Sequence, residues 1–263
     1  MKRLFALLLG VLLLLGAAFA EQTTDVEQTE STRLPDDVLV TYYEHSVFVG
    51  DSLPRMFRNY VVNVVQKEHP DYFKDVKFYT AYSYQLYSAT LRSPSSSKVN
   101  LTYKGGDTTL CRLMGALKPE KLFLLAGLND KIGEKTEKGM EYIDKIMALM
   151  EEFSPETQVY FFSLTPVTAK VEKKRPNLQS KWDAYNEALE QKCAEVGAIY
   201  IDIATDLKGE DGLMKSGISH DGEYHLNDKG NAIWLQTLLD FAQSEYDALR
   251  WVPEALTTEA EMQ

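Results

Sequence analysis

The chain has 263 residues, 44% of them hydrophobic and 25% charged, with 15 Gly and 9 Pro. That composition holds enough apolar material for a sizeable core and excludes a collagen-like or wholly disordered chain. With 28 Lys and Arg against 39 Asp and Glu the net charge is −11, which excludes a protein that lives on neutralising phosphate backbones, so neither DNA nor RNA is an expected partner.

The first twenty residues carry two cations, Lys2 and Arg3, then an apolar run from Leu4 to about Leu15, then Ala18-Phe19-Ala20 before Glu21. This is the order of a cleavable secretory signal. The run falls short of the ~20 apolar residues of a spanning helix. The expectation is a signal peptide over 1–20, a secreted or extracytoplasmic protein, and no stable membrane insertion after cleavage. Residues 21–37 hold six acids against Arg33 and no aromatic, which reads as a disordered acidic leader.

A single domain over 38–250 follows. Its apolar, β-rich runs are 47–49, 76–80, 121–127, 157–164 and 198–203, and helical patterns fall between or after them at 53–67, 108–117, 135–153, 178–196 and 229–249. Continuous apolar strands suit a parallel sheet covered on both faces. Strand and helix alternating about five times predict an α/β fold, a three-layer α/β/α sandwich around a central, mostly parallel five-stranded sheet. Residues 251–263 carry three acids and no base and read as a flexible tail. The two cysteines, Cys111 and Cys193, each lie in an amphipathic helical pattern and read as buried thiols, their pairing left open. Neither has a Cys or His at metal-ligand spacing, so no metal is expected.

In such a sheet ligands bind at the carboxyl ends of the strands. The first strand runs into Gly50-Asp51-Ser52-Leu53-Pro54. A serine there either caps the following helix or, with helix amides behind it, serves as a nucleophile. The third strand runs into Gly127-Leu128-Asn129-Asp130, where Asn129 either makes a turn or aims amide donors across the strand tips. Between the fifth strand and the last helix stands His220-Asp221-Gly222-Glu223-Tyr224-His225. His225 beside a carboxylate can act as a general base, although a solvated loop histidine is the plainer reading.

Taken together, Gly50-Asp51-Ser52-Leu53 and Gly127-Leu128-Asn129-Asp130, followed by an acid and His225 before the last helix, resemble the SGNH or GDSL hydrolase family over roughly residues 45–245. The resemblance implies a flavodoxin-like sandwich and a serine esterase without metal or organic cofactor. Ser52 would attack an ester carbonyl, His225 would move the proton and a carboxylate would orient the imidazole. The Ser52 N–H and Asn129 would stabilise the oxyanion.

The sequence departs from the family pattern twice. The orienting acid stands three residues before the histidine in the family, whereas here Asp221 lies four before and Glu223 two before, Asp221 being preferred. The family's second block supplies a glycine N–H after the second strand, where this chain has Ala81 in a stretch without glycine; Gly105-Gly106-Asp107 competes for that place. The latter lacks the ending of a phosphate loop, so no nucleotide is implied.

The tyrosines Tyr72, Tyr79, Tyr82, Tyr84, Tyr87 and Tyr103 either pack or wall a sugar site. Lys170, Lys173, Lys174 and Arg175 form a basic stretch after the fourth strand. The expected substrate is a small-molecule or polysaccharide ester, with acetyl esters of carbohydrate or cell wall favoured by location and resemblance. An acetyltransferase using the same serine, or an inactive carbohydrate-binding module on the same fold, are the rival readings. The sequence gives no sign of oligomeric state.

Overall fold

The computed structural model describes residues 33–261; the expected signal peptide, residues 1–20, and most of the expected leader, residues 21–37, lie outside the described residues. Among the described residues seven strands form: β1 (Ser46–Gly50), β2 (Lys77–Thr80), β3 (Leu101–Tyr103), β4 (Gly106–Thr108), β5 (Lys121–Leu125), β6 (Gln158–Phe162) and β7 (Ile199–Ile201). Five of them make one sheet in the order β2-β1-β5-β6-β7, every pair parallel. Counting only these strands, the order is second, first, third, fourth, fifth, the doubly wound arrangement whose strand tips open a crevice where the order reverses. The longer helices are α1 (Ser52–Tyr60), α2 (Leu110–Leu117), α3 (Thr136–Phe153), α4 (Leu178–Val196) and α5 (Asp228–Asp247).

The period-2 alternation of each strand sorts side chains onto two faces with different chemistry. One face is largely aliphatic, with Val47, Val49, Leu122, Leu124 and Val159 meeting α2, α3 and α4 through Leu113, Ile146 and Leu189. The other is aromatic. Phe48, Phe123, Tyr160 and Phe162 meet α1 and α5 through Phe57 and Trp234, with Phe48 stacked on Phe123 at 4.6 Å and Phe57 on Trp234 at 4.8 Å. Burial of both faces is what made the strands continuous apolar runs. The α/β/α sandwich is the fold expected.

Three local features go beyond the sequence reading. Residues 108–117 are not all helix: Gly106–Thr108 pairs with Leu101–Tyr103 in an antiparallel hairpin. Its two turn residues, Lys104 and Gly105, both hold positive φ, 50° and 80°, as a tight I′ turn requires. Gly105-Gly106 therefore makes a hairpin. The ordered body starts before residue 38, because the Leu34 N–H donates to Gln243 Oε1 at 2.8 Å and Asp36–Leu39 is helical. At the other end Trp251 packs edge-on against Tyr42 at 5.2 Å, Pro253 is buried, and Glu254–Glu261 is helical. Trp251 and Pro253 thus pack on the domain just ahead of the acidic residues, a contact that the charge pattern did not reveal. Both cysteines are free and buried.

Candidate active site

Three strand-to-helix loops converge at the carboxyl edge of the sheet. Gly50 ends β1 between Thr80 and Leu125 of its neighbours, and a Cβ there would lie 2.0 Å from the Leu125 carbonyl oxygen and 2.7 Å from Pro54 Cγ. Only glycine allows the chain to turn into α1 at this spot. Asp51 caps the helix, its Oδ1 accepting from the Leu53 N–H at 3.0 Å, and leaves Ser52 at the first helical position, where backbone N–H groups have no partner within the helix. The serine is both at the helix start and next to chemistry.

Ser52 Oγ lies 2.8 Å from His225 Nε2, and His225 Nδ1 lies 2.6 Å from Asp221 Oδ2. A carboxylate at Nδ1 keeps the ring proton on that nitrogen and leaves Nε2 to accept from the serine hydroxyl. Asp221 folds back onto the ring because its other oxygen accepts the N–H groups of Glu223, Tyr224 and His225 at 2.7, 3.2 and 3.3 Å. Gly222, at φ 72°, makes that reversal possible. The extra residue between acid and histidine is absorbed in this turn. Partial burial opposes the Asp221 charge, but the hydrogen bonds from the His225 ring and from the Glu223 N–H outweigh it and hold the carboxyl at about 2. Glu223 faces Lys170 and Lys174, each at 3.4 Å.

The loop carrying His225 is braced on both sides. The His220 N–H donates to the His225 carbonyl at 2.7 Å, and the Thr168 hydroxyl donates to the Gly222 carbonyl at 2.7 Å. Asn227 caps α5 by accepting from the Lys229 and Gly230 N–H groups while its amide donates to the Gly217 carbonyl at 2.8 Å.

Asn129 is brought to the same edge but is occupied. Its Nδ2 donates to Asp51 Oδ2 at 3.0 Å and to the Tyr84 carbonyl at 3.1 Å. Asp51 is 1% exposed, and that burial lifts its carboxyl to about 7, against the Leu53 N–H and the nearby His225 that favour its charge. The neighbouring Asp130 accepts the N–H groups of Leu86 and Tyr87 at 2.7 and 3.0 Å, capping the helix Leu86–Ala89. The Asn129-Asp130 pair therefore pins the loop after β2 to the loop after β1. The Asn-Asp motif carried no sign of that clamp, because its hydrogen-bond partners sit 43 to 78 residues away in sequence.

Ala81 does not supply a spare amide. Its N–H donates to the Gly50 carbonyl at 3.1 Å, extending the β1–β2 ladder by one residue, and its own carbonyl accepts from the Tyr84 N–H at 3.1 Å. In the turn so formed it is Ser83, at φ 60°, that takes the left-handed conformation a glycine favours. Of the six tyrosines, Tyr84 and Tyr72 are buried, while Tyr82 is 65% exposed with the Arg55 guanidinium 4.4 Å above its ring. Arg55 is one turn past Ser52, so this pair stands at the rim of the site. The basic stretch faces the protein's own acids, with Arg175 bonded to Glu134 and Lys170 and Lys174 facing Glu223.

Among the described residues no group of three or more His, Cys, Asp and Glu side chains is placed to hold a metal ion, and no helix is long and apolar enough to cross a membrane. No curated protein matches the chain in sequence. Among solved structures it is similar to a GDSL-like lipase from Bacteroides thetaiotaomicron, at 17% identity over 76% of this chain and 87% of that one with a TM-score of 0.53. It is also similar to an acetylxylan esterase from Geobacillus stearothermophilus, at 13% identity over 75% and 93% with a TM-score of 0.51. These likenesses are of fold. Residues 48–233, which hold Ser52, Asn129 and His225 together with the sheet that positions them, match the GDSL-like lipase/acylhydrolase family, and the chain belongs to that family.

Proposed function

We propose that the protein is an exported serine ester hydrolase that removes short acyl groups, acetyl above all, from carbohydrate or cell-wall esters. The observation that carries this reading is the unbroken chain from Ser52 Oγ through the imidazole of His225 to Asp221, with links of 2.8 and 2.6 Å. Ser52 Oγ attacks the ester carbonyl as its proton passes to His225 Nε2. The imidazolium, held by Asp221, returns that proton to the leaving alcohol, and water then frees the acyl group by the same route. The Ser52 N–H at the start of α1 is the first oxyanion donor. Asn129 is the second, by sharing an N–H that otherwise rests on the Tyr84 carbonyl. The inactive-module reading needs the imidazole out of reach of the serine, which the 2.8 Å separation does not favour.

The test is turnover of p-nitrophenyl acetate by the protein from Glu21 onward beside its Ser52→Ala variant. The variant is expected to lose at least about 10³ in kcat; equal rates would remove Ser52 from the reaction. Export is tested by expressing the full chain and sequencing the amino terminus of protein recovered outside the cytoplasm, expected at Glu21.

A further inference from the structure

A groove beside the His225 loop has no part in the mechanism above. It encloses about 610 Å³ and is walled by Met56, Asn59, Tyr60 and Asn63 on one side and by His220 and Asn231 on the other. Met56 stands one helical turn, ~6 Å, beyond Ser52, and His220 is hydrogen-bonded through its backbone to His225. The groove therefore begins about one helical turn from the serine and its imidazole, neither of which lines it. In ester hydrolysis that imidazole hands its proton to the leaving alcohol, so the alcohol portion of a substrate lies on this side of the serine.

The lining tells which alcohol fits. Asn59, Asn63 and His220 are exposed, and none of their side chains has a hydrogen-bond partner among the described residues. Asn231 is 2% exposed, and its Oδ1 receives no donor while its Nδ2 donates to the Asn227 carbonyl at 3.0 Å. Beside these neutral groups the lining carries Met56, Leu226 and the exposed Val64, and the one acid and one base in the wall, Asp228 and Lys229, offset each other. An acyl chain would need an unbroken apolar lining and a polyanion a positive one. Carboxamides, an imidazole and a phenol beside apolar side chains suit a sugar, which offers hydroxyls at its edge and C–H groups on its face. The helix is also wound as a π-turn over Val61–Val65, a device that recurs at functional sites, and here Asn63 and Val64 share one groove with Asn59 and Tyr60.

We propose that this groove binds the sugar units that adjoin the one whose hydroxyl carries the ester, so that the substrate is an O-acylated oligosaccharide; the inference rests on the esterase reading of Ser52. The test compares the wild type with an Asn59→Ala, Asn63→Ala double variant. Both positions are exposed on a helix, where alanine is the better helix former, so the fold is kept. Each protein is assayed on p-nitrophenyl acetate and on an O-acetylated xylo-oligosaccharide. The ratio of kcat/KM for the oligosaccharide to that for the nitrophenyl ester should fall about tenfold or more in the variant, as loss of two hydrogen bonds implies. The same oligosaccharide titrated calorimetrically into Ser52→Ala protein should bind about tenfold more weakly when both alanines are added.

An unchanged ratio or equal affinity overturns the groove assignment while leaving the esterase intact, as does a wild type that hydrolyses the nitrophenyl ester yet neither binds nor deacetylates the oligosaccharide. A wild type no faster than Ser52→Ala on the nitrophenyl ester overturns the esterase reading and this inference with it.

Discussion

At the level of single residues, three carboxylates near Ser52 face different environments. Asp221 is held ionised down to about pH 2 by hydrogen bonds that outweigh its partial burial. Its depressed value means that its contribution to stability is present above the ordinary aspartate pKa near 3.9 and is lost as pH falls through about 2. Asp221→Asn should lower kcat on p-nitrophenyl acetate by about 10²–10⁴, because the amide no longer holds the proton on Nδ1. Glu223→Gln should stay within about twofold, since that side chain meets only surface lysines; a larger loss for Glu223 than for Asp221 would reverse the assignment.

Asp51 shows the opposite behaviour. Burial raises it to about 7, so between pH ~4 and ~7 the folded protein holds a proton that the unfolded chain has released, and stability falls as pH rises. Asp51→Asn removes that penalty. The melting temperature of the variant relative to wild type should therefore be higher at pH 8 than at pH 5, a trend that thermal unfolding at the two pH values reads directly. Asn129→Ala should cost about 10²–10³ in kcat and, by leaving Asp51 Oδ2 without its side-chain donor, lower the melting temperature as well.

Among the elements, the strand tips tolerate the least change. A methyl group on Gly50 would overlap the Leu125 carbonyl oxygen, and backbone cannot retreat from a parallel ladder without breaking it. Gly50→Ala should destabilise the protein by roughly 3 kcal/mol or more, measured by urea unfolding. Gly127, at φ 136° with Ile132 Cγ2 2.5 Å from the place of a Cβ, is constrained by both backbone and space. These glycines, with Asp51, Ser52 and Asn129, were legible as a motif because each lies within a few residues of a strand end. The groups that complete them were not. The Tyr84 carbonyl, the Thr168 hydroxyl and the turn at Ser83 reach the site from loops after other strands, and only the sheet order makes them neighbours.

For the molecule as a whole, two cores of different character meet at one sheet, and the thiols report on that packing. Both cysteines are free and buried, and burial pushes Cys193 up to about 12. The native protein should leave both thiols unreacted with Ellman's reagent over minutes, and the denatured protein should release both; a native titre of two would contradict the packing.

The runs 47–49, 121–127 and 157–164 announced a parallel sheet by themselves, since a strand covered on both faces is apolar at nearly every position. The serine, the asparagine and the histidine were likewise named by local pattern, because a strand-to-helix turn is a short-range event. The tertiary structure decided the rest: that Asp221 and not Glu223 touches the imidazole, that the Ala81 amide is spent on the Gly50 carbonyl, that Asn129 clamps two loops, and that Trp251 packs against Tyr42. Each of these depends on groups far apart in the chain competing for the same hydrogen bond or the same space, and no pattern within one segment records which competitor wins.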